Sequence, residues 1–256
     1  LSIPSILAQV TTVLMFYIDA GMVGSLGAEP SAAIGLVEPA TWLFFSLVSA
    51  VTMGFSVQVA HFIGANDFAK ARAVMRHGYI FGLCFALFLL LITFLIGSRL
   101  PVWLGGGTDI QHDATVYFLI FSLIIPFHLI EYMSAAMLKV SGDMRRPSFM
   151  AILMCVLDVI FNYFFIFPTR TVSLFGVEVT MPGLGEGVAG AALGSLLSFV
   201  CVALPLAYYA IFRSPILAWK QDVERFVWRW QYIWNAMKIG APMALQYLLM
   251  NGAQLV

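Results

Sequence analysis

Six stretches of this 256-residue chain run almost free of charge. Each is long enough, at about 20 residues, to cross the roughly 30 Å hydrocarbon core of a bilayer. They cover residues 1–24, 32–63, 78–97, 114–138, 148–167 and 187–212, and a further apolar run opens at 239. Backbone polar groups in hydrocarbon must be satisfied within the segment that carries them, so the pattern predicts an all-α fold, a polytopic membrane helix bundle. Only 10% of the residues are charged, against about a quarter in a soluble domain, and the formal net charge is zero. A nucleic-acid partner would demand a basic surface, so none is expected; the lipid bilayer is.

Lys and Arg are retained on the cytoplasmic side when loops are short, and here they are strongly partitioned. One set of alternate connections holds Lys70, Arg72 and Arg76, then Lys139, Arg145 and Arg146, then Arg213, Lys220, Arg225, Arg229 and Lys238. The other set holds only Arg99 and Arg170. The first set is therefore expected to be cytoplasmic, with a cytoplasmic N-terminus and Asp19 toward the outer end of the first span. Cys84, Cys155 and Cys201 each fall within a span, and an odd number of such thiols predicts reduced cysteines rather than a disulfide framework.

Two connections carry patterns of their own. Between the fifth and sixth spans, "TVSLFGVEVTMPGLG" alternates around Gly176 and predicts a small β-hairpin, a lid or a spacer. After the sixth, Trp219, Val223, Phe226, Trp230 and Trp234 recur at helical spacing while Lys220, Glu224, Arg225 and Arg229 occupy other angles. That predicts an amphipathic helix over 213–238, lying in the membrane interface or binding a partner. The expected organisation is a six-helix lobe over 1–212, this linker, and the start of a seventh helix over 239–256. "SIPSILAQ" at Ser2–Gln9 is echoed by "GAPMALQ" at Gly240–Gln246, which implies a repeat of about 238 residues, as in transporters built from two halves. The chain opens on Leu1 and stops within an apolar run, so the expectation is one lobe of a longer protein plus the first helix of the next.

Four carboxylates fall inside the spans, where charge is costly and by default faces a cavity or a partner. Asp19 is either the ion-handling group of such a cavity or an interfacial residue near a helix end. Asp158 and Asn162 lie four apart on one helix face, a polar site or helix–helix glue. Glu38 precedes Pro39, and His128 and Glu131 lie three apart; with Gln58 these are cavity candidates. His128 and Glu131 are at most half a metal site, so no metal centre is expected. Pro126 and Pro205 interrupt the fourth and sixth spans and predict bent helices.

Several motifs together resemble the multidrug and toxic compound extrusion (MATE) family of cation-coupled efflux transporters. They are "D-x-x-M-V-G-x-L-G" at Asp19–Gly27 followed by "AAIGL", "GAND" to "KARA" over 64–73, "SGDMRRP" over 141–147 and "GLGEGVAGAALGS" over 183–195. The resemblance implies twelve helices in two six-helix lobes, of which this chain would be the N-terminal lobe plus the start of helix 7, acting as a monomer in a bacterial inner membrane. It implies that Asp19 is a coupling site for H+ or Na+, with no other cofactor. Similar members place Asn and Asp four apart on helix 5 and a Thr on helix 6; here the order is inverted, Asp158 then Asn162, and the helix 6 position is Ser195. The implied activity is antiport of amphiphilic, cationic small molecules by alternating access. A flippase for lipid-linked oligosaccharide, the alternative within the same superfamily, would need basic residues in the cavity, and none of the Lys or Arg residues falls in a span. An intramembrane enzyme would need a complete catalytic or metal constellation, and a passive channel would not need buried carboxylates.

Overall fold

The computed structural model describes residues 2–174, 177–221 and 227–252. It is an α-helical bundle with one two-stranded sheet. The long helices are α1 (Ser2–Gly24), α2 (Ala28–Gly64) and α3 (Phe68–Ile96). A four-residue turn, α4 (Leu100–Trp103), leads to α5 (Gln111–Ser122), α6 (Ile124–Val140) and α7 (Arg145–Ile166). Strands β1 (Pro168–Leu174) and β2 (Val177–Leu184) precede α8 (Gly187–Tyr208) and α9 (Trp230–Gly252). Among the described residues six helical segments are long and apolar enough to cross a membrane, α5 and α6 forming one of them. On α3, Leu83, Leu87, Leu91 and Leu95 recur every fourth residue and are all exposed, a stripe that suits lipid and not water.

The third helix opens at Phe68, ten residues before the apolar run begins, because "FAKARAVM" is rich in helix formers despite its charges. Its start is capped. Asn66 takes a left-handed backbone (φ 58°), the Asp67 carboxylate accepts from the Lys70 amide at 3.1 Å, and the Lys70 ammonium pairs with it at 2.6 Å. The "SGDMRR" loop repeats this chemistry. Gly142 is left-handed (φ 89°), and Asp143 accepts from the Arg146 amide at 3.3 Å and pairs with its guanidinium. Both motifs are turn-and-cap devices that start helices at the basic end of the bundle.

Proline acts differently at each site. Pro126 has no N–H to offer the Ser122 carbonyl, and the fourth span breaks at Leu123, whose amide instead bonds to Ile120 at 3.1 Å. Pro205 stays within α8, which loosens into a π-helical turn at Tyr209–Arg213. Pro39 stays within α2, leaving the Gly35 carbonyl without its helical donor.

The core is centred on α2. Val48, Val51, Phe55 and Val59 pack with Val74 and Met75 of α3 and with Leu129, Met133 and Met137 of α6. In lipid the apolar effect does not drive helices together, so close approach and dispersion must. Glycine supplies the approach in two places. A Cβ on Gly190 or Gly194 of α8 would stand 2.4 Å from the Phe165 carbonyl or 2.1 Å from Asn162 Oδ1 of α7. A Cβ on Gly54 of α2 would stand 2.2 Å from the Ala236 carbonyl of α9.

The α9 helix corrects two expectations. It begins at Trp230, not 239, so Pro242 lies inside it. Its buried face is Tyr232, Ile233 and Ala236, while Trp230 and Trp234, expected on the apolar face of a linker helix, are 71% and 63% exposed. Ala236 and Gly240 on that face let α2 come near, at Gly54 and Ala50, while exposed Trp rings suit the headgroup level. Before α9, the described part of the linker is not a continuous helix: Ser214 is extended and Trp219–Gln221 is a single 3-10 turn. Val223, Glu224, Arg225 and Phe226 lie outside the described residues. The expected hairpin is present as antiparallel β1 and β2, with Thr171 opposite Thr180 and Leu174 opposite Val177; its tip at Gly176 lies outside the described residues. All three cysteines are free, Cys155 buried and the other two exposed.

Candidate functional site

A cavity of about 770 Å³ opens between α1, α2, α5, α6, α7 and α8. On α1 its wall is Thr12, Met15, Phe16, Asp19, Ala20 and Val23, spaced by three or four residues, so one helix face looks into it. Asp19 belongs to that face. It is half-buried, five residues before Gly24, and turned into the bundle rather than toward an interface.

Asn162 joins α1 to α7. Its amide nitrogen donates to Asp19 Oδ1 at 3.1 Å and to Asp158 Oδ2 at 3.0 Å. The second carboxyl oxygen of Asp158 lies 3.1 Å from the Ser198 hydroxyl of α8, whose one proton is shared between it and the Ser195 carbonyl at 2.8 Å. Asp158 and Asn162 are each 2% exposed, Ser198 not at all. One amide nitrogen thus bridges the Asp19 and Asp158 carboxyls. Two carboxylates held this close by one bridging amide, one of them buried and the other half-buried, repel unless a proton or a cation offsets their charge. The cluster therefore has the chemistry of a monovalent cation or proton site. Gly194 makes it possible: the Asn162 amide occupies the space its missing side chain leaves.

Most of the expected residues converge here. Asp19, Asp158, Asn162 and Ser195 all line the cavity, as do Glu38, His128 and Glu131. Ser195 stands beside the Asp158 carboxyl, but the well-formed hydroxyl bond comes from Ser198, one turn along the same face. Spacing could have indicated Ser198, since Ser195 and Ser198 lie three apart on α8. Gln58 is elsewhere. It is buried and its amide bonds to the Gly54 carbonyl at 3.2 Å and to Tyr232 of α9 at 3.0 Å, so it ties α9 to α2 and lines no part of the cavity.

The rest of the wall is aromatic. The His128 ring stacks on Phe45 at 4.5 Å between centroids and lies 5.8 Å from Phe199 and 5.6 Å from Tyr132. Its nitrogens make no hydrogen bond of standard geometry among the described residues. Glu38 accepts from the Trp42 indole at 3.2 Å, and Trp42 meets Phe16 edge-on at 5.5 Å. Among the described residues, no Lys or Arg lines the cavity. Among the described residues, no group of three or more His, Cys, Asp or Glu is arranged to hold a metal ion. A smaller hollow of about 420 Å³, lined by Pro30, His112, Asp113 and Glu186, lies apart from this cluster.

Comparison with known proteins places these features in context. The MatE family model matches residues 4–164. Over 252 residues the chain is 25% identical to a probable multidrug resistance protein NorM of Neisseria meningitidis, covering 97% of this chain and 52% of that protein. It is 22% identical to the multidrug export protein MepA of Staphylococcus saprophyticus, covering 100% and 53%. It superposes with a TM-score of 0.87, at 24% identity, on an outward-facing multidrug resistance MATE family transporter of the MOP superfamily, covering 99% of this chain and 53% of that one. The chain thus spans about half the length of the relatives it matches.

Proposed function

Since this chain belongs to the MatE family of integral membrane transporters, we propose that the protein extrudes amphiphilic cations in exchange for H+ or Na+, by alternating access between two lobes. On this reading the chain is the N-terminal lobe with the first helix of the second, the protein acts as a monomer in a bacterial inner membrane with its N-terminus cytoplasmic, and it needs no cofactor beyond the coupling ion. The observation that carries the reading is the junction of Asp19, Asn162 and Asp158, backed by Ser198, on the wall of a cavity whose remaining lining is mainly apolar and aromatic but also holds Glu38, His128 and Glu131.

Coupling follows from electrostatics. With a proton or Na+ between Asp19 and Asp158 their repulsion is cancelled, and α1, α7 and α8 are held together through Asn162 and Ser198. When the ion leaves, the pair pushes α1 from α7. An ion that binds one arrangement of the helices better than the other shifts their balance by that difference in affinity. The chamber's rings and its Met15 and Met154 side chains offer adaptable contacts to varied amphiphiles. Its lack of Lys and Arg gives an oligosaccharide phosphate nothing to bind.

The test is efflux of a fluorescent organic cation from proteoliposomes, with the H+ and Na+ gradients collapsed separately. One collapse should stop efflux, and Asp19→Asn should make transport indifferent to both gradients. Gradient-driven transport by Asp19→Asn equal to that of the unaltered protein would refute the reading.

A further inference from the structure

The cavity holds four carboxyl groups, and three of them are engaged. Asp19 and Asp158 share Asn162, and Asp158 also takes the Ser198 hydroxyl. Glu38 takes the Trp42 indole. Glu131 has no hydrogen bond or ion pair among the described residues, although it is half-buried and lines the cavity. It projects from α6, whereas the engaged pair belongs to α1 and α7.

Its neighbours on that wall are flat. One turn earlier on α6, His128 is packed face to face on Phe45, and Phe199 meets it edge-on. A carboxylate in apolar surroundings without a partner is costly. An incoming organic cation removes that cost through direct pairing and gains further from ring faces within about 6 Å. A neutral molecule of the same shape gains only the packing.

We infer that Glu131 is the counter-charge of the cargo, so that cargo and coupling ion occupy two separate acidic loci of one cavity. The cargo class is an organic cation with a bulky apolar body, its charge at Glu131 and its body in the cavity against the wall that the mutually packed Phe45, His128 and Phe199 rings form. This rests on the transport reading above and adds to it. The cluster at Asp19 senses the ion and Glu131 selects the passenger; communication between them then runs through the shared chamber and its helices, not through direct competition for one carboxylate.

The experiment compares two probes of like shape, tetraphenylphosphonium and neutral triphenylphosphine oxide. Binding to the purified protein is read by quenching of tryptophan fluorescence, since Trp42 lines the cavity. Glu131→Gln should weaken tetraphenylphosphonium binding by roughly tenfold or more, the loss expected on removing one member of a desolvated charge pair. Triphenylphosphine oxide binding should change less than about twofold, which also reports that the variant is folded. Glu131→Asp should recover part of the cation affinity. Thermal stabilisation by Na+ or by acid should persist in Glu131→Gln and vanish in Asp19→Asn. Unchanged cation affinity in Glu131→Gln, equal loss for both probes, or loss of the ion response would each overturn the inference. Absence of gradient-driven efflux in a protein whose cation binding depends on Glu131 would instead overturn the transport reading and leave Glu131 as the cation's partner.

Discussion

Replacing Gly194 with alanine asks whether the acid cluster depends on the helix crossing around it. The added Cβ would stand 2.1 Å from Asn162 Oδ1 and 2.8 Å from the Asn162 backbone nitrogen. The amide can rotate away; the backbone cannot, and 2.8 Å is about 0.6 Å inside the 3.4 Å where ordinary contact begins. If α8 retreats from α7, the cost is that of an overpacked core, about 1–3 kcal/mol. If Asn162 turns instead, its bonds to Asp19 and Asp158 go, at roughly 1.5–3 kcal/mol each for bonds to charged groups. The first at least matches, and the second exceeds, the ~1 kcal/mol that alanine gains over glycine in a helix. Gly194→Ala should therefore lower the melting temperature in detergent and remove the stabilisation given by Na+ or acid. Gly21→Ala and Gly64→Ala, whose new methyls would meet nothing within 4 Å, should be neutral or slightly stabilising. A Gly194→Ala protein matching them in melting and in ion response would refute the argument.

Other consequences are as direct. Gly54→Ala would drive a Cβ to 2.2 Å from the Ala236 carbonyl and should free α9 from α2, seen as faster amide exchange over Tyr232–Gly240. Gln58→Leu should weaken the same joint by roughly 1 kcal/mol, the typical net worth of a lost hydrogen bond, in a denaturation series, while leaving cation binding intact. The Lys70 bond holds the Asp67 carboxyl below its ordinary 3.8, so its capping is complete above about pH 4 and is lost as pH falls through the lower folded value. Protection of the amides at the start of α3, taken relative to their intrinsic exchange rate at each pH, should fall as the carboxyl is protonated, and Asp67→Ala should abolish that fall.

The bundle was legible because hydrocarbon leaves few options: each apolar run became helical, although α3 and α9 start about ten residues before their apolar runs and the fourth run is broken at Leu123. The start of α9 was obscured because the sequence shows its Trp stripe, whereas burial is decided by the small residues that fit Gly54. Asp19, Asp158 and Asn162 could be selected because charge and amide are rare in a span and the i, i+4 spacing fixes a shared face. Ser198 was hidden among ordinary small residues of α8, since which of two serines meets Asp158 depends on how far α8 slides along α7. Gln58 misled for a related reason: a polar residue in a span needs a partner, and its partner was a backbone carbonyl from a helix 174 residues away in sequence.

The bond from Trp42 to Glu38 spans the turn of α2 that directly follows the one where Pro39 withholds its backbone donor from Gly35. A rod weakened at one joint has been splinted by its own side chains, and the splint faces the chamber. Whatever breaks that one bond unfastens the brace, so the stiffness of the longest helix of the bundle is tied to the state of a carboxyl on the chamber wall.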